Sequence, residues 1–150
     1  MKVMRSMLLA MMLISKAWAG AWGEGSFDND DALDWIAECT QANGTQSVQL
    51  VLEQVIRAKY IETELGAAAI VAAEIVSAAR GKSNAAMPAE LRAWVARQPA
   101  GTLVALAPRA KLALDRVQRT AISELAQQWE EAGAAKWRGA VAALQGRLAR

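Results

Sequence analysis

Asp28, Asp30, Asp31 and Asp34 crowd one short stretch of the sequence, behind the glycine-rich run Gly20-Ala-Trp22-Gly-Glu24-Gly25 and just before Trp35. Carboxylates at this density can do three kinds of work. They can hold a hard cation: Asp30 and Asp34 share a helix face, and Asp28 can swing toward them, which would offer oxygens to Ca²⁺ or Mg²⁺. Two of them flanking a cleft can act as acid and base on a glycosidic bond, with Trp22 and Trp35 suited to a sugar ring. They can also form an acidic surface that recognises a partner. The spacing is not that of an EF-hand loop, and a helix start attracts acids without any metal. Tryptophans near a motif are more often core than sugar platforms. Capping is therefore preferred to metal binding, and binding to catalysis.

Much other chemistry is excluded outright. The chain has no histidine, which removes the usual Ser/His and Cys/His nucleophiles and most zinc sites. Cys39 stands alone, so it forms no internal disulfide and no redox pair, and its position favours a small buried core residue. Gly81-Lys-Ser83 has no glycine five residues earlier and so is not a phosphate-binding loop. No catalytic residue and no cofactor are assigned. Arg109, Arg116 and Arg119 suggest a basic stripe, for which a solvated helix face is the ordinary explanation.

The first 19 residues have the pattern of a secretory leader. Lys2 and Arg5 precede the apolar run Met7–Ile14, and Ala17-Trp-Ala19 places small residues before a cut that would leave Gly20 first. The apolar run is far below the ~20 residues a spanning helix needs, so no membrane anchor is expected after cleavage. The expectation is an exported protein, periplasmic or secreted. Its organisation would be a leader over 1–19 and a single helical domain over 20–150.

Charge is distributed unevenly. The full chain has 17 Lys and Arg against 15 Asp and Glu; Lys2, Arg5 and Lys16 belong to the leader, which leaves 14 bases against the same 15 acids. Near neutrality removes the electrostatic case for nucleic acid. Glu24, Asp28, Asp30, Asp31, Asp34 and Glu38 meet no base between Gly20 and Glu38, while the remainder is basic. That asymmetry suggests that the acidic lobe docks onto the rest of its own chain, with a charged protein partner as the other reading.

The elements that would position these groups read as helices throughout. Asn29 or Asp28 can cap the first, whose inward stripe is Ala32, Trp35, Ile36 and Cys39. A second follows Thr45, with Val48, Val51, Leu52, Val55 and Ile56 buried. A third starts near Thr63, is apolar nearly all round and ends at Gly81, the mark of a helix surrounded by others. Pro88 fits the start of a fourth. The fifth carries Leu103, Leu106, Ala110, Leu114 and Val117, with Pro108 demanding a kink or a fresh start. Ile122 to Trp129 make a sixth, and Trp137 to Leu148 a seventh. The fold class is all-α, a compact single-domain bundle of six or seven helices.

Glu74 interrupts the apolar third helix between Ile70, Val71, Ser77 and Ala78. A buried carboxylate without a partner costs several kcal/mol or takes up a proton, so a partner is required. One candidate is the α-amino group of Gly20, with Gly23 and Gly25 allowing close packing; the other is Arg80 or another arginine.

Gly20-Ala-Trp22-Gly followed by Gly25-x-Phe27-Asp-Asn-Asp-Asp-Ala-x-Asp-Trp35 resembles the opening of the bacterial domain-of-unknown-function family four-two-five-nine. Ala72-Ala-Glu-Ile-Val76, Arg80-Gly81, Leu91-x-Ala-Trp94, Trp129-Glu-Glu and Trp137 extend the likeness over essentially the whole chain after the leader. The resemblance implies no activity. Members usually open at their own Met-Gly-Ala-Trp-Gly, so a leader before Gly20 implies an exported version of a domain otherwise found inside the cell. The functional expectation is a non-catalytic binding protein, of immunity or inhibitor type, acting through the acidic motif. The alternative is a small carboxylate-dependent hydrolase of a cell-envelope polymer.

Overall fold

A computed structural model describes residues 23–42 and 44–150. Among them are eight helices and no strand: α1 (Asp30–Gln41), α2 (Gln46–Arg57), α3 (Thr63–Ala79), α4 (Ala89–Arg97), α5 (Ala100–Val104), α6 (Ala107–Val117), α7 (Glu124–Ala132) and α8 (Ala135–Ala149). The all-α bundle is as expected, with one helix more than the upper count. Pro108 is the cause: it sits in the first turn of α6, so the single fifth helix of the sequence reading becomes α5 and a fresh α6.

The centre of the molecule is α3, which touches all seven other helices. Every residue from Gly66 to Ser77 is buried, so its apolar circumference is matched by neighbours on every side. Small residues permit the close approach. A methyl group added at Gly66 would lie 3.3 Å from Leu125 Cδ2, so the leucine would have to give by a few tenths of an ångström. Around α3 pack fully buried Leu52, Leu91, Leu103, Leu114 and Leu144, each contributing about 1.5–3 kcal/mol by leaving water.

Local signals fix most of the boundaries. Asn29 is the N-cap of α1, its side chain accepting from Ala32 N at 2.8 Å, and Ser123 caps α7 in the same way through Ala126 N. Gly81 takes a left-handed φ of +82° just past α3, where a side chain would be strained. Ile122 departs from the expected helix. It lies before α7, where its carbonyl accepts from Ile61 N at 2.7 Å in a short parallel bridge. The basic stripe does not form. Arg116 turns inward to cap the carbonyls of Val55 and Ala58 at the end of α2, and Arg109 lies 3.8 Å from Glu53.

Cys39 is fully buried, and that burial pushes its thiol up to about 12, so it stays protonated and inert at neutral pH. None of the described helices is long and apolar enough to cross a membrane.

Candidate functional site

Two carboxylate sites emerge, on opposite flanks of the N-terminal motif. The first is a groove of about 590 Å³ between α1, α2 and α3. Helical spacing builds it. Asp31, Asp34, Trp35 and Glu38 recur at three and four residues along one face of α1, Ser47, Leu50 and Gln54 do so on α2, and Glu64 and Leu65 close it from α3. Asp34, Glu38 and Glu64 are exposed, and Asp31 is half-buried. Burial, then the neighbouring Glu64, Asp34 and Asp30, hold the Asp31 carboxyl above its ordinary 3.8. Among the described residues no Lys or Arg forms an ion pair with any of these acids.

That result corrects the expected docking of the acidic lobe onto the basic remainder. Among the described residues only Glu24 of the lobe reaches a base, Lys136 at 4.0 Å across exposed surface, a contact too solvated to hold the lobe. The α1 carboxylates face outward into the groove instead. Trp35 is also less buried than its stripe implied. It packs on the edge of the core while lining the groove.

A three-oxygen cation site from Asp28, Asp30 and Asp34 is not built either. Asp28 turns the other way, its Oδ2 accepting from Gly25 N at 3.0 Å, and the loop wraps so closely that a Cβ at Gly23 or Gly25 would meet that oxygen at 2.5 Å. The glycines thus serve this carboxylate. Asp30 is exposed in the first turn of α1, where the helix dipole favours it. Among the described residues no group of three or more Cys, Asp or Glu is arranged to hold a metal ion.

The second site surrounds Glu74, which is fully buried in α3. Arg147 of α8 binds it in a fork, NH1 to Oε2 at 2.8 Å and NH2 to Oε1 at 3.1 Å. Ser26 Oγ donates to Oε1 at 2.7 Å and Asn84 Nδ2 at 3.0 Å. Every oxygen is satisfied, which is the condition under which a buried carboxylate is tolerated. Of the two partners expected, an arginine is the one found, and it is Arg147, not Arg80. Gly20 and Trp22 lie outside the described residues. The chain just after them is seated firmly: Gly23 to Ser26 cover α3, α7 and α8, leaving a void of only about 10 Å³ beneath. Phe27 is buried.

Sequence reasoning missed Ser26, Asn84, Arg147 and Glu64. Glu64 belongs to a first turn, where an acid looks like dipole compensation. Arg147 is 73 residues from Glu74 and has no local mark at all. The one usable signal was the demand of a buried acid for a base.

The model of one protein family, described as a domain of unknown function (DUF4259), matches residues 20–140. No curated protein and no solved structure matches the chain.

Proposed function

The chain belongs to the DUF4259 family of domains of unknown function, and we propose that it is an exported, non-catalytic binding domain whose acidic groove receives a basic face of a protein partner. An immunity or inhibitor role is its concrete form. One observation carries this reading: Asp31, Asp34, Glu38 and Glu64 converge on an open groove with no base among the described residues paired to them. Like charges held together cost stability, and a cationic partner relieves that cost while being steered in by the field. Trp35 and the exposed Leu50 supply the large apolar contacts on which interface affinity concentrates. The leader pattern of residues 1–19 supports export.

The test is capture from periplasmic extract with the wild-type chain and with the neutral variant Asp31→Asn/Asp34→Asn/Glu38→Gln/Glu64→Gln. A basic protein retained by the first and lost by the second, with affinity falling as salt rises, is the expected result. Equal retention by both excludes the groove.

A second reading has one observation in its favour. Asp31 holds its proton more tightly than an ordinary carboxyl beside an exposed Asp34, and carboxylates set apart by environment are the raw material of acid–base hydrolysis. Release of soluble fragments from cell-envelope polymer, abolished by Asp31→Asn, would favour it over the binding reading.

A further inference from the structure

We propose that a second pocket, walled by the N-terminal loop, the α3–α4 loop and α8, binds a ligand through a carboxylate gripped side-on by Arg147. This site is independent of the acidic groove and survives if that reading fails. The pocket holds about 360 Å³, within the range of small-molecule sites, and is lined by Gly25, Ser26, Ser83, Asn84, Ala143 and Arg147 among others.

A guanidinium has two forked edges, NH1 with NH2 and Nε with NH2. Glu74 occupies the first. NH1 also faces Ser77 Oγ at 3.5 Å and the Lys82 carbonyl at 3.3 Å. Nε donates to nothing among the described residues, and neither does the second hydrogen of NH2. That Nε is not one of the buried polar atoms lacking a partner, which are Arg80 Nε and Gln128 Oε1. The Arg147 side chain is 25% exposed, and the open space that it lines is this pocket.

Geometry and rigidity both favour an acid there. Glu74 offsets the charge of Arg147, and Arg80 and Lys82 are both taken up by the main-chain oxygen of Arg150. The second edge of the fork still matches the two oxygens of a singly charged carboxylate. Glu74, Ser77 and the Lys82 carbonyl already fix the guanidinium plane, so a ligand orders little on arrival. Gly25, Ala85, Ala140 and Ala143 leave room for a compact apolar body beside the carboxylate.

The experiment follows the Arg147 Nε–Hε resonance by ¹⁵N NMR during titration with acetate, N-acetylalanine, N-acetyltrialanine, N-acetylalanine amide and inorganic phosphate. Saturable movement with the acids, and none with the amide, is expected. Tighter binding of N-acetyltrialanine than of N-acetylalanine identifies a peptide end as the natural source, and equal binding a free small acid. Ala143→Glu sets a carboxylate one helical turn before Arg147, on the exposed side of α8, where it can fill the free edge. That variant should weaken acid binding about tenfold or more, the worth of one charged hydrogen bond, without a change in unfolding midpoint. Ser83→Glu, from the facing loop, serves if Ala143→Glu does not fold. No saturable shift with any acid, an undiminished shift in the folded variant, or phosphate binding above every acid would overturn the assignment.

Discussion

The groove acids and Glu74 belong to one small domain and treat negative charge in opposite ways. Glu74 is sealed from water and receives four hydrogen bonds, one of them from the motif's own Ser26. Asp31, Asp34, Glu38 and Glu64 sit together at the surface with no ion-pair partner among the described residues. The motif thus does two jobs within a dozen residues. Its loop end fastens the chain to the bundle, and its helical end presents uncompensated charge. A charge that the fold uses is neutralised by the fold; a charge left bare is available to something else.

The widest separation between the regions should come from the buried pair. Arg147→Ala strands the Glu74 carboxylate in the core and should cost about 3–5 kcal/mol in denaturant unfolding. Replacing both residues by methionine should recover most of that loss, because an apolar pair needs no solvation. If the single and double variants were equally unstable, the ion pair would not be what the core depends on there.

Ser26→Ala comes next. It removes one hydrogen bond to a buried charge and should cost about 1–2 kcal/mol. The loss should be local, seen as faster amide exchange in the loop before α1 with little change in α6. Uniform acceleration would mean that the loop is not a separable clasp.

A smaller effect, of opposite sign, is expected in the groove. Folding raises the Asp31 carboxyl above 3.8, so the folded chain holds that proton more tightly than the unfolded chain does. Ionisation of Asp31 therefore lowers stability as pH climbs through the window above 3.8. Asp31→Asn should raise the melting temperature at neutral pH by roughly 1–3 °C, the scale of one weak surface charge effect. The gain should vanish below pH 3.8, where the wild-type carboxyl is protonated in both states. A melting temperature lowered at neutral pH would show that the helix dipole outweighs the repulsion.

How far the sequence carries this picture depends on the range of each interaction. Asn29 capping α1, Gly81 closing α3 and Pro108 restarting α6 are legible because each acts within a few residues. The apolar circumference of α3 announces its central place for the same reason. Glu74 stands out as an acid that needs a base, yet its base arrives from α8, and nothing near Arg147 in the chain marks it. Asp28 misleads because its backbone position predicts a cap, whereas the loop glycines draw its side chain backward. The acidic lobe misleads in a more general way. Net charge totals favour attraction to the basic remainder, but the bases are spent on carbonyls and isolated acids, as Arg116, Arg109 and Arg138 show. Totals do not give direction.

The division between fastened and presented charge is tested most directly by the unfolding free energy of Asp34→Asn/Glu38→Gln beside the wild-type chain. Both acids lie beyond the first turn of α1, so dipole compensation does not hide the answer. The midpoint should stay within about 0.5 kcal/mol of wild type, or rise, as for surface groups the fold does not use. A loss of about 2 kcal/mol or more would contradict the account, because these carboxylates would then be part of what holds the domain together.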